Sequence, residues 1–265
     1  MKTVCLSEKQ YYGKLNKQMT LGFAHLSVTG YKSKEKLKKH YHENSYLSLL
    51  INGTYSEICK EDTKFISSGE LIFRPQSYDH ANEFSNTPGR CFNIEFENNF
   101  SGINDLKLKL PSRNIHYKGR VFPEIYKAFV GFTEGNNSEN IEELLLQWLF
   151  EINNTRFPES NIPWINKVKH ILETETQYHH SLQSISERVF VHPVYLAGCF
   201  KKKTGLTLGR YQTEAKLNKA IQQVFNSKLS VTEIALNNGF FDSAHFIKQF
   251  KAAYGITPLH FKKKL

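Results

Sequence analysis

The stretch LAGCFKKKTGLTLGRY at 196–211 is answered fifty positions later by FIKQFKAAYGITPLHF at 246–261. Leu196 stands against Phe246, Phe200-Lys201 against Phe250-Lys251, Gly205 against Gly255, Thr207 against Thr257 and Tyr211 against Phe261, in one order and one spacing. Self-similarity of this kind marks a single supersecondary unit used twice. A short amphipathic stretch precedes each copy: Leu182, Ile185 and Val189 before the first, Val231, Ile234 and Ala235 before the second. Both follow helical steps.

Each unit reads as helix, tight turn, helix. In the second, Ser230 with Glu233 three residues on forms a capping box, Gly239 supplies a left-handed C-cap, and Asp242 or Ser243 caps a helix that runs to Gly255. In the first, Ser181 caps the opening helix, Pro193 takes the first position of the next, and Gly205 ends it. Leu208 to Phe225 is long enough for a rigid helix joining the two units. Two helices joined by so short a turn can set the second of them into a DNA major groove. A duplicated all-helical interaction domain would show the same pattern, so charge decides. Residues 159–265 hold 15 Lys+Arg against 7 Asp+Glu, whereas residues 1–158 hold 20 against 18. Most of the chain's net +10 therefore sits with the repeat, as a nucleic-acid-binding module requires.

Upstream of the repeat, Arg156 to Pro163 carries two prolines among small polar residues and reads as a linker. The division expected is 1–157 and 158–265, the latter with helix-turn-helix units at about 181–205 and 230–255. Before the linker, helical periodicity covers about 121–155, through Ile125, Phe129 and Phe132 and then Ile141, Leu144, Leu145, Trp148, Leu149 and Ile152. That second stripe suits packing on a sheet or pairing with a second copy equally well. The first hundred residues alternate from Phe23 to Thr29 and carry β-rich runs at Tyr46–Ile51, Thr54–Cys59, Glu70–Arg74 and Cys91–Phe96, with turns at Asn52-Gly53, Ser68-Gly69 and Pro88-Gly89. The fold class expected is α+β: an antiparallel sandwich or barrel with a helical pair, then an all-α domain. Cys5, Cys59, Cys91 and Cys199 have no pair spacing suited to a disulfide framework or zinc. Residues 1–17 lack the apolar core of a signal peptide, and no apolar run approaches a membrane span, so a cytoplasmic protein is expected.

Ile234-Ala235, Gly239-Phe240, Phe246, Phe250-Lys251, Gly255 and Thr257-Pro258, with Leu196 and Phe200-Lys201, resemble the DNA-binding domain of the AraC/XylS family of bacterial transcription regulators. The resemblance covers about the last hundred residues. It implies two helix-turn-helix units reading successive major grooves of double-stranded DNA, with RNA polymerase, a second copy of the chain and a small-molecule effector as further partners. It places base-reading positions at Val194, Ala197 and Gly198 in the first unit and Ser243, Ala244, Ile247 and Lys248 in the second. Phosphate contacts fall to Lys201, Lys202, Lys203, Lys216 and Lys251. Ala197 and Gly198 stand where the family often carries a long polar side chain, and neither can make a bidentate base contact. Glycine inside a helix also costs about 1 kcal/mol relative to alanine. The first unit is therefore expected to anchor on phosphates through Lys201–Lys203, with Val194 against a thymine methyl, and the second to choose the sequence.

His40-Tyr41-His42, placed just before a strand, and Gly69 with Pro75 and His80 resemble the two signature segments of the cupin barrel. Metal-binding cupins take two His and a Glu from the first and a third His from the second. Here Tyr46 occupies the Glu position, and Ser77 and Phe84 replace a usual glycine and asparagine. Losing the acidic ligand favours a metal-free domain, so no cofactor and no metal are expected. A pocket of His40, His42, Tyr46, Arg74 and His80 is the candidate for an effector, Arg74 suiting an anion. The function expected is a non-enzymatic regulator, an activator that senses a small molecule or dimerises through its N-terminal domain. The alternative is a cupin metalloenzyme fused to a DNA-targeting module, for which the three histidines alone speak.

Overall fold

The computed structural model describes residues 3–59, 62–97, 108–118, 121–154, 162–226 and 228–265. The chain divides into two compact units, Met1–Phe150 with Lys262–Leu265, and Glu151–Phe261. Most of the 156–163 linker expected from sequence lies outside the described residues.

The first unit holds strands β1 (Val4–Leu6), β2 (Lys14–Thr20), β3 (Ala24–Tyr31), β4 (Lys36–His42), β5 (Ser45–Asn52), β6 (Thr54–Ile58), β7 (Thr63–Ser67), β8 (Leu71–Arg74), β9 (His80–Phe84), β10 (Gly89–Phe96) and β11 (Ile115–His116). Hydrogen bonding sorts them into two sheets, in order β1-β4-β9-β6-β7 and β11-β8-β5-β10-β3-β2. The barrel expected from sequence is thus two open sheets among the described residues, and β1 runs parallel to β4 while the other pairs are antiparallel. The burial pattern follows position. Ser45 to Ile51 of β5 is buried throughout because β5 lies inside its sheet, while β2, at the edge, is almost wholly exposed. His40 and His42 end a strand of their own, β4, just ahead of β5. A register shift between Leu37 and His40 lets both of them, three residues apart, point inward together with His42.

Helices α1 (Pro123–Glu134) and α2 (Ser138–Asn154) cover the larger sheet. Phe129 and Phe132 close on Phe92 of β10, and Trp148 stacks on Phe96 at 5.7 Å. Tyr126 donates its hydroxyl to the Gly69 carbonyl at 2.7 Å. Ile141, Leu145, Trp148 and Leu149 are all buried within the chain's own fold, so packing on the sheet accounts for this stripe.

The second unit comprises α3 (Pro163–Thr174), α4 (Leu182–Val189), α5 (Pro193–Thr204), α6 (Leu208–Asn226), α7 (Val231–Asn237), α8 (Ser243–Tyr254) and α9 (Pro258–Lys262, ending at the unit's edge). Ile165, Val168, Ile171 and Leu172 of α3 share a core with Ile185, Val189, Leu196 and Phe200. Phe246, Phe250, Tyr254 and Phe261 form the matching aromatic core of the second half. The ends are set as the sequence predicts. Ser181 accepts from the Ser184 N–H, Ser230 and Glu233 complete the capping box, and Asp242 accepts from the His245 N–H at 2.6 Å. Gly205 and Gly255 close their helices with φ of 75° and 84°. At Gly239, with φ 68°, a Cβ would stand 2.5 Å from the Thr176 carbonyl oxygen, so only glycine fits both the turn and the close approach.

Candidate nucleic-acid interface and the histidine cavity

The two recognition helices turn their apolar residues inward at matched positions, Leu196 and Phe200 in α5, Phe246 and Phe250 in α8. The outward stripes then follow from helical geometry. In α5 it is Val194, Ala197, Gly198 and Lys201, at i, i+3, i+4 and i+7, and in α8 it is Ala244, Ile247, Lys248 and Lys251. Val194, Gly198 and Lys201 are exposed and Ala197 half-buried, while Ala244, Lys248 and Lys251 are exposed, with Ile247 and Ser243 half-buried. All of the base-reading positions implied by the family resemblance therefore retain solvent-facing surface. Lys201, Lys202 and Lys203 fill the last turn of α5, where cations also suit the helix dipole.

Lys216 is a correction. It stands on α6 with 6% of its surface exposed and donates its ammonium to the Gly239 carbonyl oxygen at 2.6 Å. Burial lowers its pKa. It caps the second unit's turn from inside and is not free to contact phosphate. Sequence reasoning also missed three exposed apolar groups beside the recognition helices: Phe190 and Tyr195 at the first, Phe241 at the second. Their signal was large apolar residues at positions that the inward pattern leaves outside.

In the first unit, His40, His42 and His80 are buried and bring one ring nitrogen each within 4.8 Å of one another. His40 and His80 face each other across β4 and β9. His40 Nδ1 lies 2.8 Å from the Lys38 carbonyl and His80 Nδ1 3.0 Å from that of Tyr78, which makes Nδ1 the protonated nitrogen in both rings. The Tyr46 hydroxyl meets His80 Nε2 at 3.0 Å. These are the described residues that could hold a metal, and their donor set tests the fit. Burial, then the Lys38 carbonyl in opposition and the Arg74 charge, leave His40 with a pKa of about 4. Burial, His40 and Arg74 take His42 to about 2, and burial and Arg74 hold His80 well below the ordinary value. Burial raises the Tyr46 pKa, so the residue at the acidic-ligand position stays a neutral phenol. Three neutral imidazoles are donors that suit Zn²⁺ or Fe²⁺, but among the described residues no carboxylate joins them, and the Tyr46 hydroxyl already occupies His80 Nε2.

Arg74 is the second correction. It is neither solvated nor free for an anion: its Nε donates to Glu57 Oε2 at 2.7 Å and its Nη2 to the Tyr55 hydroxyl at 2.8 Å, with Glu57 wholly buried. Glu57 shares the inward face of β6 with Tyr55, a charge at inward parity that could have flagged the pair. Beside them is a cavity of about 30 Å³, room for about two waters. Asn82 lines it and, among the described residues, its buried Oδ1 has no hydrogen-bond partner.

Residues 185–264 match a family described as "Helix-turn-helix domain". The Msm operon regulatory protein of Streptococcus mutans is 33% identical over 127 residues, 47% of this chain and 43% of that protein, so the match spans less than half of that relative's length. The HTH-type transcriptional activator RhaR of Enterobacter sp. is 23% identical over 249 residues, covering 85% of this chain and 87% of RhaR. A solved structure of ToxT from Vibrio cholerae is 13% identical, covering 92% of this chain and 99% of ToxT, with a TM-score of 0.40. With paired stripes, glycine-closed helices and this match in one segment, residues 185–264 form a helix-turn-helix domain of the AraC type.

Proposed function

We propose that this protein is a sequence-specific transcription regulator, an activator whose two recognition helices enter successive major grooves of double-stranded DNA. The observation that carries the reading is the pair of outward stripes at matched positions on α5 and α8, each ending in a lysine. Lys201–Lys203 and Lys251 would hold phosphates, and Lys248 would contact a base edge. The N-terminal unit, residues 1–157 in this reading, would sense a small molecule or pair with a second copy, and thereby shift the population competent for DNA and for RNA polymerase. An effector larger than about two waters requires the side chains around the His40 cavity to move.

Selection of bound duplexes from fragmented genomic DNA, followed by footprinting and salt titration of the best site, tests the reading. Protection of two adjacent major grooves about one helical turn apart, roughly 10 bp, with a steep salt slope, is the expected result. Uniform binding by the full chain and by residues 160–265 alone would remove it. A second reading, a metalloenzyme joined to a DNA-targeting module, draws on the convergence of His40, His42 and His80. Elemental analysis of protein purified without chelator separates the two: no stoichiometric Fe, Mn, Zn or Ni is expected, and one equivalent would favour the enzyme.

A further inference from the structure

Gly198 sits in the middle of α5 with ordinary helical backbone, and a Cβ built on it meets nothing within 4 Å. Neither turn geometry nor packing asks for glycine there, and alanine would make the better helix. Its neighbours on the outward stripe, Val194 and Ala197, carry no hydrogen-bonding group either. Around them stand Phe190 at 92% exposure, Val194 at 75% and Tyr195 at 61%, an apolar concentration that a water-facing surface does not need. Phe190 even holds a left-handed backbone, φ 57°, which no side chain but glycine adopts freely. The corresponding region of the second unit has Lys248 where Gly198 stands, and His245 in place of Tyr195.

From these residues, resting on the DNA-binding reading above, we infer that the first recognition helix reads thymine: its apolar face packs on C5-methyl groups in the major groove. Those methyls are the apolar feature of the major-groove edge, whereas every other base presents hydrogen-bonding groups that this face cannot answer. Lys201, Lys202 and Lys203 at the end of the same helix supply the charge that presses such a face against DNA rather than against an apolar protein surface. The bare backbone at Gly198 lets the base edges come close to Val194 and Ala197. The first unit is then a reader in its own right, through shape and methyl contact, and the second reads through Lys248.

The test uses the full chain. Site selection is repeated with Gly198→Arg, for which the open space around Gly198 leaves the fold undisturbed. The element whose selected base changes from T to G belongs to the first unit, because arginine pairs with the guanine edge. Deoxyuridine, which lacks only the methyl, is then placed for thymidine in that element. Affinity is expected to fall roughly fourfold per methyl lost, with 5-methylcytosine opposite guanine keeping more affinity than cytosine. Val194→Ala should remove part of this discrimination while leaving the salt slope unchanged. A selected element free of thymine, or equal binding of the thymidine and deoxyuridine duplexes within a specific footprint, overturns the inference alone and points to a protein partner for this face. Absence of any enriched sequence overturns the DNA-binding reading and the inference with it.

Discussion

Lys216 and Lys202 carry the same charge in the same unit, and burial assigns them opposite tasks. Lys202 is exposed on the last turn of α5, while Lys216 is buried on α6 with its ammonium against the Gly239 carbonyl. Lys216→Met keeps the buried stem and leaves that carbonyl without its donor. Thermal unfolding should show a loss of about 1–3 kcal/mol. The salt slope of DNA binding should stay as it was, since no phosphate contact is lost. Lys202→Ala should do the reverse, holding stability and flattening the salt slope by about 0.9 while weakening all sites alike. A flattened slope in Lys216→Met would mean that the ammonium leaves its carbonyl for phosphate. Lys248→Ala should change base preference instead, because its place on the outward stripe of α8 is at base edges.

The turns between paired helices show at the next scale how local chemistry was legible and long-range chemistry was not. Ser181, Ser230, Glu233, Asp242, Gly205 and Gly255 were all readable because a cap acts within four residues of its own helix end. Ser230→Ala should therefore cost about 1 kcal/mol in urea unfolding. Phe190 was not readable. Its turn is left-handed one position later in the repeat frame than that of Gly239, and a phenylalanine gives no sign of positive φ. Phe190→Gly should stabilise the unit by about 1 kcal/mol, since the strain goes and an exposed ring loses no packing. A loss of stability would show that the ring packs in solution. In the first unit the same division holds. The β5 and β10 runs were legible from their apolar content, and His40 and His42, read as pocket residues, are buried, whereas the register shift in β4 that also turns Leu37 inward left no mark in the sequence. The Glu57–Arg74 pair joins β6 to β8, and only the inward parity of Glu57 marks it locally, with nothing in the sequence to name its partner.

At the scale of the whole chain, the basic charge concentrates in one unit and the buried, charge-averse groups in the other. His40, His42 and His80 are held neutral in the first unit, with pKa values of about 4, about 2 and well below 6.5. The unfolded chain binds protons to these side chains near pH 6.5, and the folded unit refuses them, so the unfolded state carries more protons between those values. Stability from this cluster is thus complete above about pH 6.5 and is lost as the pH falls toward 4. His40 alone contributes on the order of 3 kcal/mol over that window. The chain's two tryptophans, Trp148 and Trp164, fall one in each unit, so Trp164→Phe leaves a fluorophore that reports on the first unit alone. Its denaturation midpoint should fall steadily between pH 7 and pH 5, above the range in which carboxylates such as Glu70, whose pKa is itself lowered by His116 and the Ser67 N–H against the cost of burial, begin to titrate. Phe for His40 should lessen that dependence by roughly a third, because one of the three groups that resist protonation is gone while His42 and His80 remain. A midpoint that stays constant from pH 7 to pH 5 in the parent would mean that the imidazoles reach water or a counter-charge in solution, and the neutral polar cavity assigned to the sensing unit would have to be abandoned.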